Sequence, residues 1–251
     1  MSEEFKIVIP ARYESSRFPG KPLVDIHGKP MIQRVHEAAV DAGAGEVIIA
    51  TDSTKIGMAA EEFGATVCMT RKDHRSGTDR LCEVVEKMEW TDDTIVVNVQ
   101  GDEPLTPPAI INQVAANLSS NEQAGCATLY TGLSQEDAAD PNIVKVVTDA
   151  NGLALYFSRS VIPYIRDTED ETISELIYKR HIGLYAYNVD LLKKFRTMDA
   201  CELEQAEKLE QLRLMWYGIR IHAAEAVSVP GRGIDTPEDL DRIRAAIAPD
   251  S

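Results

Sequence analysis

Short apolar runs alternate with amphipathic stretches through the first half of the chain. Ile7-Val8-Ile9 is brief, β-branched and stopped by Pro10, so it predicts a buried strand. From Pro30 to Val40, residues Met31, Ile32, Val35, Ala38 and Ala39 fall on one helical stripe that ends near Gly43. Val47 to Ala50 predicts a second buried strand, with Asp52 just past its end. A helix around 54–63 and a strand over 66–69 follow. A polar loop over 70–78 then feeds a helix whose Leu81, Val84, Val85 and Met88 share a face. Ile95 to Val99 reads as a further strand, halted by Gln100-Gly101-Asp102-Glu103-Pro104. Strands this uniformly apolar, alternating with helices, predict an α/β fold: a mostly parallel, doubly wound sheet with helices on both faces.

The second half changes character. Ile143 to Thr148 and Leu153 to Phe157 flank Asn151-Gly152, which predicts an antiparallel hairpin. Residues 164–179 are polar and acidic and read as a loop, and His181 to Tyr187 as a strand. Glu204 to Trp216 predicts one helix, with Leu209, Leu212 and Trp216 in line and Gly218 as its stop. Thr236-Pro237-Glu238-Asp239 opens the last helix with a capping box. No linker, repeat or low-complexity block interrupts the 251 residues. The expectation is a single domain over 1–251, in which a smaller mixed β region is inserted in or appended to the doubly wound core.

Charge narrows the partners. The net charge is -15, so the mean field repels nucleic acid and anionic membranes, and any phosphate site must be local and cationic. No apolar run approaches the ~20 residues of a membrane span, and the acidic start does not resemble a signal peptide. Cys68, Cys82, Cys126 and Cys201 are scattered without a Cys-x-x-Cys pair, which favours reduced thiols and a cytoplasmic protein.

Against that acidic background, Arg12, Arg17 and Lys21 cluster directly after the first strand, with Glu14 the one acid among them. Such a loop suits a polyanion such as a triphosphate, and an ordinary solvated turn is the alternative. Neither Gly-x-x-x-x-Gly-Lys-Ser/Thr nor Gly-x-Gly-x-x-Gly is present, which argues against a P-loop kinase or a dinucleotide-binding dehydrogenase. In an open parallel sheet ligands lie beyond the carboxyl ends of the strands, where the first loop, Asp52, the 70–80 loop and Gln100 to Asp102 all fall. Asp102 and Asp235 are a carboxylate pair suited to one Mg²⁺; a turn residue and a helix-dipole partner are their plainer readings. Arg159, Arg166, Arg180 and His181 are suited to an anionic acceptor or to surface ion pairs, and Glu210 and Gln211 to a polyol or to water. His27, His36, His74 and His222 show no metal-ligand spacing and read as structural.

These residues sit in longer strings. Ile9-Pro-Ala-Arg-Tyr-x-Ser-Ser-Arg-Phe-Pro-Gly-Lys-Pro-Leu23 closely resembles the start of 3-deoxy-manno-octulosonate (Kdo) cytidylyltransferases. So do Ala50 to Asp52, Met69 to Arg71 with Ser76 to Thr78, and Val97 to Pro104. Asn142 to Lys145, Ala154 to Arg159, Arg180 to Gly183, Lys208 to Arg213 and Gly233 to Leu240 extend the likeness nearly end to end. The chain is more distantly similar to CMP-sialic acid synthetases.

The resemblance implies a fold like that of nucleotide-diphospho-sugar transferases and a reaction in which CTP and Kdo yield CMP-Kdo and pyrophosphate, with Mg²⁺, for lipopolysaccharide biosynthesis. It implies a nucleotide-binding core over about 1–130 and 219–251 and an acceptor and dimerisation region over about 131–218. Residues matching Arg12, Arg17 and Lys21 hold the triphosphate, helped by Pro10, Ala11, Arg71, Ser76, Gly77 and Arg80. Those matching Asp102 and Asp235 hold the metal, and with Arg12 and Lys21 they carry the catalysis. Gln100, Arg159, His181, Tyr185, Glu210 and Gln211 surround the sugar. A homodimer is implied. Other acceptors (8-amino-Kdo or a sialic acid) and a catalytically silent nucleotide-binding protein are the competing readings.

Overall fold

The computed structural model describes residues 5–14, 18–74, 76–166, 177–231 and 233–247. Its first half contains β1 (Lys6–Ala11), β2 (Asp25–Ile26), β3 (Lys29–Pro30), β4 (Glu46–Thr51), β5 (Thr66–Met69) and β6 (Ile95–Asn98). β7 (Cys126–Gly132), β8 (Lys145–Thr148), β9 (Ala154–Ser158), β10 (Lys179–Asn188) and β11 (Ile221–Glu225) follow. Nine strands form one sheet in the order β11-β7-β10-β6-β1-β4-β5, with β8 paired to β10 and β9 to β8. β2 and β3 make a separate ribbon.

β1 sits between β4 and β6, parallel to both, and β5 continues the parallel set beyond β4. β10 breaks the direction, running antiparallel to β6 on one side and to β7 on the other. That reversal has a consequence for the site. The early residues of β10 lie beyond the carboxyl end of β6, facing whatever β6 delivers there.

Helices α1 (Met31–Asp41), α2 (Thr54–Glu62), α3 (Gly77–Met88) and α4 (Pro108–Ser119) cover the sheet. The alternation of side chains along β1 divides the core. Ile7 and Ile9 pack with Ile32 and Val35 of α1 and Ile110 and Ile111 of α4, whereas Val8 packs with Leu81 and Val84 of α3. All three strand residues are fully buried. Each such side chain contributes roughly 2 kcal/mol, so the strand cannot slip by one residue without exchanging its two faces.

The hairpin forms as expected, with Gly152 at φ 75° in its turn. Residues 167–176 of the expected loop over 164–179 lie outside the described residues. One expectation is corrected. Residues 204–216 are not one helix but parts of two, Glu202–Glu207 and Gln211–Trp216, separated by Lys208 at φ 55°. The Glu207 carboxylate accepts from Ser158 Oγ (2.6 Å) and the Arg159 N–H (2.9 Å), and this tertiary pull overrides local helix propensity. Leu209 and Leu212 are buried, but Trp216 is 56% exposed and off their line.

Candidate active site

Two close backbone approaches assemble the site. A Cβ at Gly101 would lie 2.6 Å from the Pro10 carbonyl oxygen, so only glycine lets the chain after β6 pass the end of β1. Next along, the Ile234 N–H donates to the Asp102 carbonyl oxygen at 2.9 Å and ties the distant 234–236 segment to this turn. The segment is held from the other side by a capping box on the last helix, Pro237–Ala246. The Asp239 carboxylate accepts from the Asp235 and Thr236 N–H groups, and Thr236 Oγ1 caps the Asp239 N–H.

Into this junction comes Lys21. It opens a short 3₁₀ turn, preceded by Gly20 at φ 73°, and is buried. Its ammonium donates to Asp102 Oδ2 at 2.7 Å, to the Ile234 carbonyl at 2.6 Å and to Asp235 Oδ1 at 3.3 Å. Two carboxylates and one lysine, widely separated in sequence, therefore meet at a single point.

That point is shared by two cavities. A cavity of about 320 Å³ is lined by Pro10, Ala11, Arg12, Lys21, Ser76, Gly77 and Arg80. A larger cleft of about 630 Å³ is lined by Arg180, His181, Tyr185, Gln211 and the loop from Asp140 to Val144. Gln100, Asp102, Glu210 and Asp235 line both. Two ligands seated side by side would meet at the carboxylate pair.

The cations differ in how firmly they are committed. Arg80 is fixed, bonded to Thr70 Oγ1 and 3.3 Å from Asp52 Oδ1. Among the described residues, no carboxylate lies within ion-pair distance of Arg12 or of Arg180. Each therefore offers a guanidinium to a ligand, one in each cavity.

The larger cleft has a buried polar floor. Burial, with Arg180 adding to it, pushes the His181 imidazole down to about 3, so it is neutral near pH 7. Its Nε2 is 3.2 Å from Thr128 Oγ1, whose hydroxyl also faces the Ile182 and Leu184 carbonyl oxygens at 2.9 and 2.8 Å. With that hydroxyl donating to a carbonyl, Nε2 donates to Thr128, leaving Nδ1 as an acceptor. Among the described residues, Tyr185 OH, Gln211 Nε2 and Asn98 Oδ1 are buried polar atoms without a hydrogen-bond partner, and all three residues line this cleft. Unsatisfied buried polar atoms concentrated in one cleft are the mark of a polar ligand site. Burial raises the Glu210 carboxyl, although Thr78 and Ser76 donate to it. Glu103 is pushed up to about 7 by burial and by the neighbouring Asp102.

Three expected residues stand apart. Arg17 lies outside the described residues. Arg71 faces an adjoining hollow, near Asp73 and Glu83, rather than the smaller cavity. Arg159 lines neither cavity; its guanidinium donates to the carbonyl oxygens of Glu207 (2.7 Å) and Pro141 (3.0 Å).

Sequence reasoning missed others. His74, read as structural, lines the smaller cavity while bonded to Glu83 at 2.5 Å. Asn98 had a signal that went unused: it is the polar residue in the apolar run Ile95 to Val99. Glu103 gave none, because the chain beside it is distant in sequence: a Cβ on Gly233 would lie 3.3 Å from its Cγ.

Comparison with known proteins finds extensive likeness to cytidylyltransferases. A family model described as cytidylyltransferase matches residues 6–221. The 3-deoxy-manno-octulosonate cytidylyltransferase of Proteus mirabilis (strain HI4320) is 54% identical over 245 residues, covering 96% of each chain. The enzyme of that name from Pseudomonas syringae pv. tomato is 54% identical over 249 residues, 97% of this chain and 98% of its own. A solved structure of CMP:2-keto-3-deoxy-manno-octonic acid synthetase complexed with CTP matches with a TM-score of 0.90 and 47% identity, covering 97% of this chain and 98% of that one. A nucleotidyl transferase from Methanothermobacter shares the fold at a TM-score of 0.63 and 17% identity. With relatives this similar over nearly its whole length, the chain belongs to the 3-deoxy-manno-octulosonate cytidylyltransferases, within the cytidylyltransferase family.

Proposed function

We propose that the chain transfers CMP from CTP to the anomeric hydroxyl of Kdo, releasing pyrophosphate and supplying CMP-Kdo for lipopolysaccharide biosynthesis. The observation that carries this reading is the meeting of two cavities at Lys21, Asp102 and Asp235. CTP takes the smaller cavity, with Arg12 and Lys21 on its phosphates. Kdo takes the larger one, with Arg180 on its carboxylate and His181, Tyr185, Glu210 and Gln211 on its hydroxyls. Gln100 is held between them by a hydrogen bond to the Gly183 carbonyl at 3.2 Å.

The hydroxyl oxygen attacks the α-phosphorus in line as the bond to pyrophosphate breaks. Such a transfer asks the protein for alignment and charge neutralisation more than for covalent chemistry. Walls that hold both substrates edge to edge supply the alignment. Arg12 and Lys21 supply cations where the leaving pyrophosphate gathers charge.

Asp102 and Asp235 would hold one Mg²⁺. They fit it: two hard carboxylate oxygens already converge on one cation, the Lys21 ammonium. No group of three metal-ligating side chains occurs among the described residues, but Mg²⁺ bound with substrate phosphates needs only one or two carboxylates. When bound, the ion supplies dense positive charge beside the phosphate oxygens.

The core over about 1–130 and 219–251 binds the nucleotide in this reading, and about 131–218 binds the sugar and pairs two copies. Exposed apolar residues on the latter region, Leu155 at 61% and Tyr164 at 84%, and an edge of β9 that pairs with no strand among the described residues support a homodimer. A cytoplasmic setting is supported by four buried, unbridged cysteines. No helix among the described residues is long and apolar enough to cross a membrane.

A pyrophosphate-release assay over CTP, UTP and ATP, each with Kdo, 8-amino-Kdo and N-acetylneuraminate, tests the assignment. Release with CTP and Kdo above every other pair supports it. Preference for another sugar reassigns the acceptor, and no release with any pair removes the enzymatic reading.

A further inference from the structure

Two stretches of chain wall the larger cleft, and residues that do not line it tie the two together. One wall is the loop from Asp140 to Val144; the other runs from Lys208 to Gln211. Behind them, lining neither cavity, lie Lys145, Arg159 and Glu207.

Lys145 is fully buried. Its ammonium donates to three carbonyl oxygens: Asp140 at 3.0 Å, Ile143 at 2.6 Å and Arg159 at 2.6 Å. A buried ammonium is costly unless all its protons are used, and here three acceptors match three donors. It therefore gathers the first wall onto the end of β9. Arg159 carries the link onward. Its side chain reaches the Pro141 carbonyl at 3.0 Å and the Glu207 carbonyl at 2.7 Å. The Glu207 carboxylate closes the loop, accepting from Ser158 Oγ and the Arg159 N–H. Directly after Glu207 the chain turns left-handed at Lys208, which delivers Glu210 and Gln211 to the cleft.

We propose that Lys145, Arg159 and Glu207 are positioning residues for the acceptor, a buried clamp that fixes the spacing of the two cleft walls. The proposal rests on the reading of this cleft as the acceptor site. The CTP cavity shares only one residue with the clamped walls, Glu210, so the effect falls on the acceptor.

Glu207→Gln is the central test, because it keeps one acceptor oxygen and removes the other. Lys145→Met removes a buried charge and its loss of fold would be uninformative, so it is not relied on. For Glu207→Gln the KM for Kdo rises about tenfold, while the Kd for CTP by calorimetry stays within about twofold. Amide hydrogen exchange quickens in both 140–144 and 208–211. Arg159→Lys recovers part of what Arg159→Ala loses. An unchanged KM for Kdo in Glu207→Gln, or an equal rise for both substrates, overturns the clamp. So does an Arg159→Ala variant that loses Kdo binding with exchange unchanged in both segments, since that would put Arg159 on the substrate itself. If the wild type turns over no acid sugar, the acceptor reading fails separately. The exchange data then decide alone: faster exchange in both walls supports the clamp, and unchanged exchange overturns it.

Discussion

The main-chain N–H of Ile234 donates to the carbonyl oxygen of Asp102 across 132 positions of sequence, at 2.9 Å. This one bond sets the Asp235 carboxylate beside that of Asp102, with the Lys21 ammonium in contact with both. The reaction centre is thus a property of two backbone segments crossing at the sheet's carboxyl edge, and each side chain inherits its place from that crossing.

Gly101 permits the crossing. Gly101→Ala forces a Cβ against the Pro10 carbonyl, a backbone atom with little room to yield. We expect a loss of roughly 1–3 kcal/mol in denaturant unfolding, with kcat falling more than stability explains because Asp102 moves with the turn. A variant of wild-type stability and activity would show that the approach is not tight.

The two uncommitted guanidiniums should separate the substrates. Arg12→Ala should raise the KM for CTP by about tenfold or more and leave that for Kdo nearly unchanged; Arg180→Ala should do the reverse. Initial-rate kinetics with each substrate varied in turn reads the split. Equal effects on both substrates would merge the two cavities into one functional site.

Glu83 gives stability a pH dependence. Burial opposes its ionisation, yet Lys87, the Arg71 N–H and His74 together outweigh burial and hold the carboxyl at about 2, against 4.5 ordinarily. A folded value below the unfolded one means the contribution is full above pH 4.5 and is lost as pH falls from there to about 2. Glu83→Gln should therefore cost up to roughly 3 kcal/mol at neutral pH and flatten the acid limb of the stability profile. Chemical denaturation across that range checks it.

His181 should stay neutral well below the ordinary histidine range. Its folded value of about 3 lies under the unfolded 6.5, so protonation favours unfolding as pH falls below 6.5. Heteronuclear NMR of the ring nitrogens should show one protonated and one unprotonated nitrogen, without titration near pH 6 to 7. Titration there would mean an open, solvated ring.

Much of this architecture was legible because local pattern and tertiary fate agree. Ile7 to Ile9, Val47 to Ala50 and Ile95 to Val97 are continuous apolar runs because both faces of their strands are buried. Where distant contacts decide, pattern fails. Nothing local in Glu204 to Trp216 announces the break at Lys208, which follows from Glu207 turning toward Ser158 and Arg159. The helix α4 and strands β7 and β11 were overlooked, although Ile110, Ile111, Val114 and Leu118 do form a helical stripe. Arg159 shows the same limit for the site: a cation near an expected acceptor region is spent on carbonyl oxygens that only the fold brings to it.

The central claim is tested most directly by the kcat for pyrophosphate release from CTP and Kdo in Asp102→Asn and Asp235→Asn, measured beside wild type. Both variants should fold, keep a circular dichroism spectrum like that of the parent, and lose at least about a hundredfold in kcat. Near-parental turnover in either one would contradict the account.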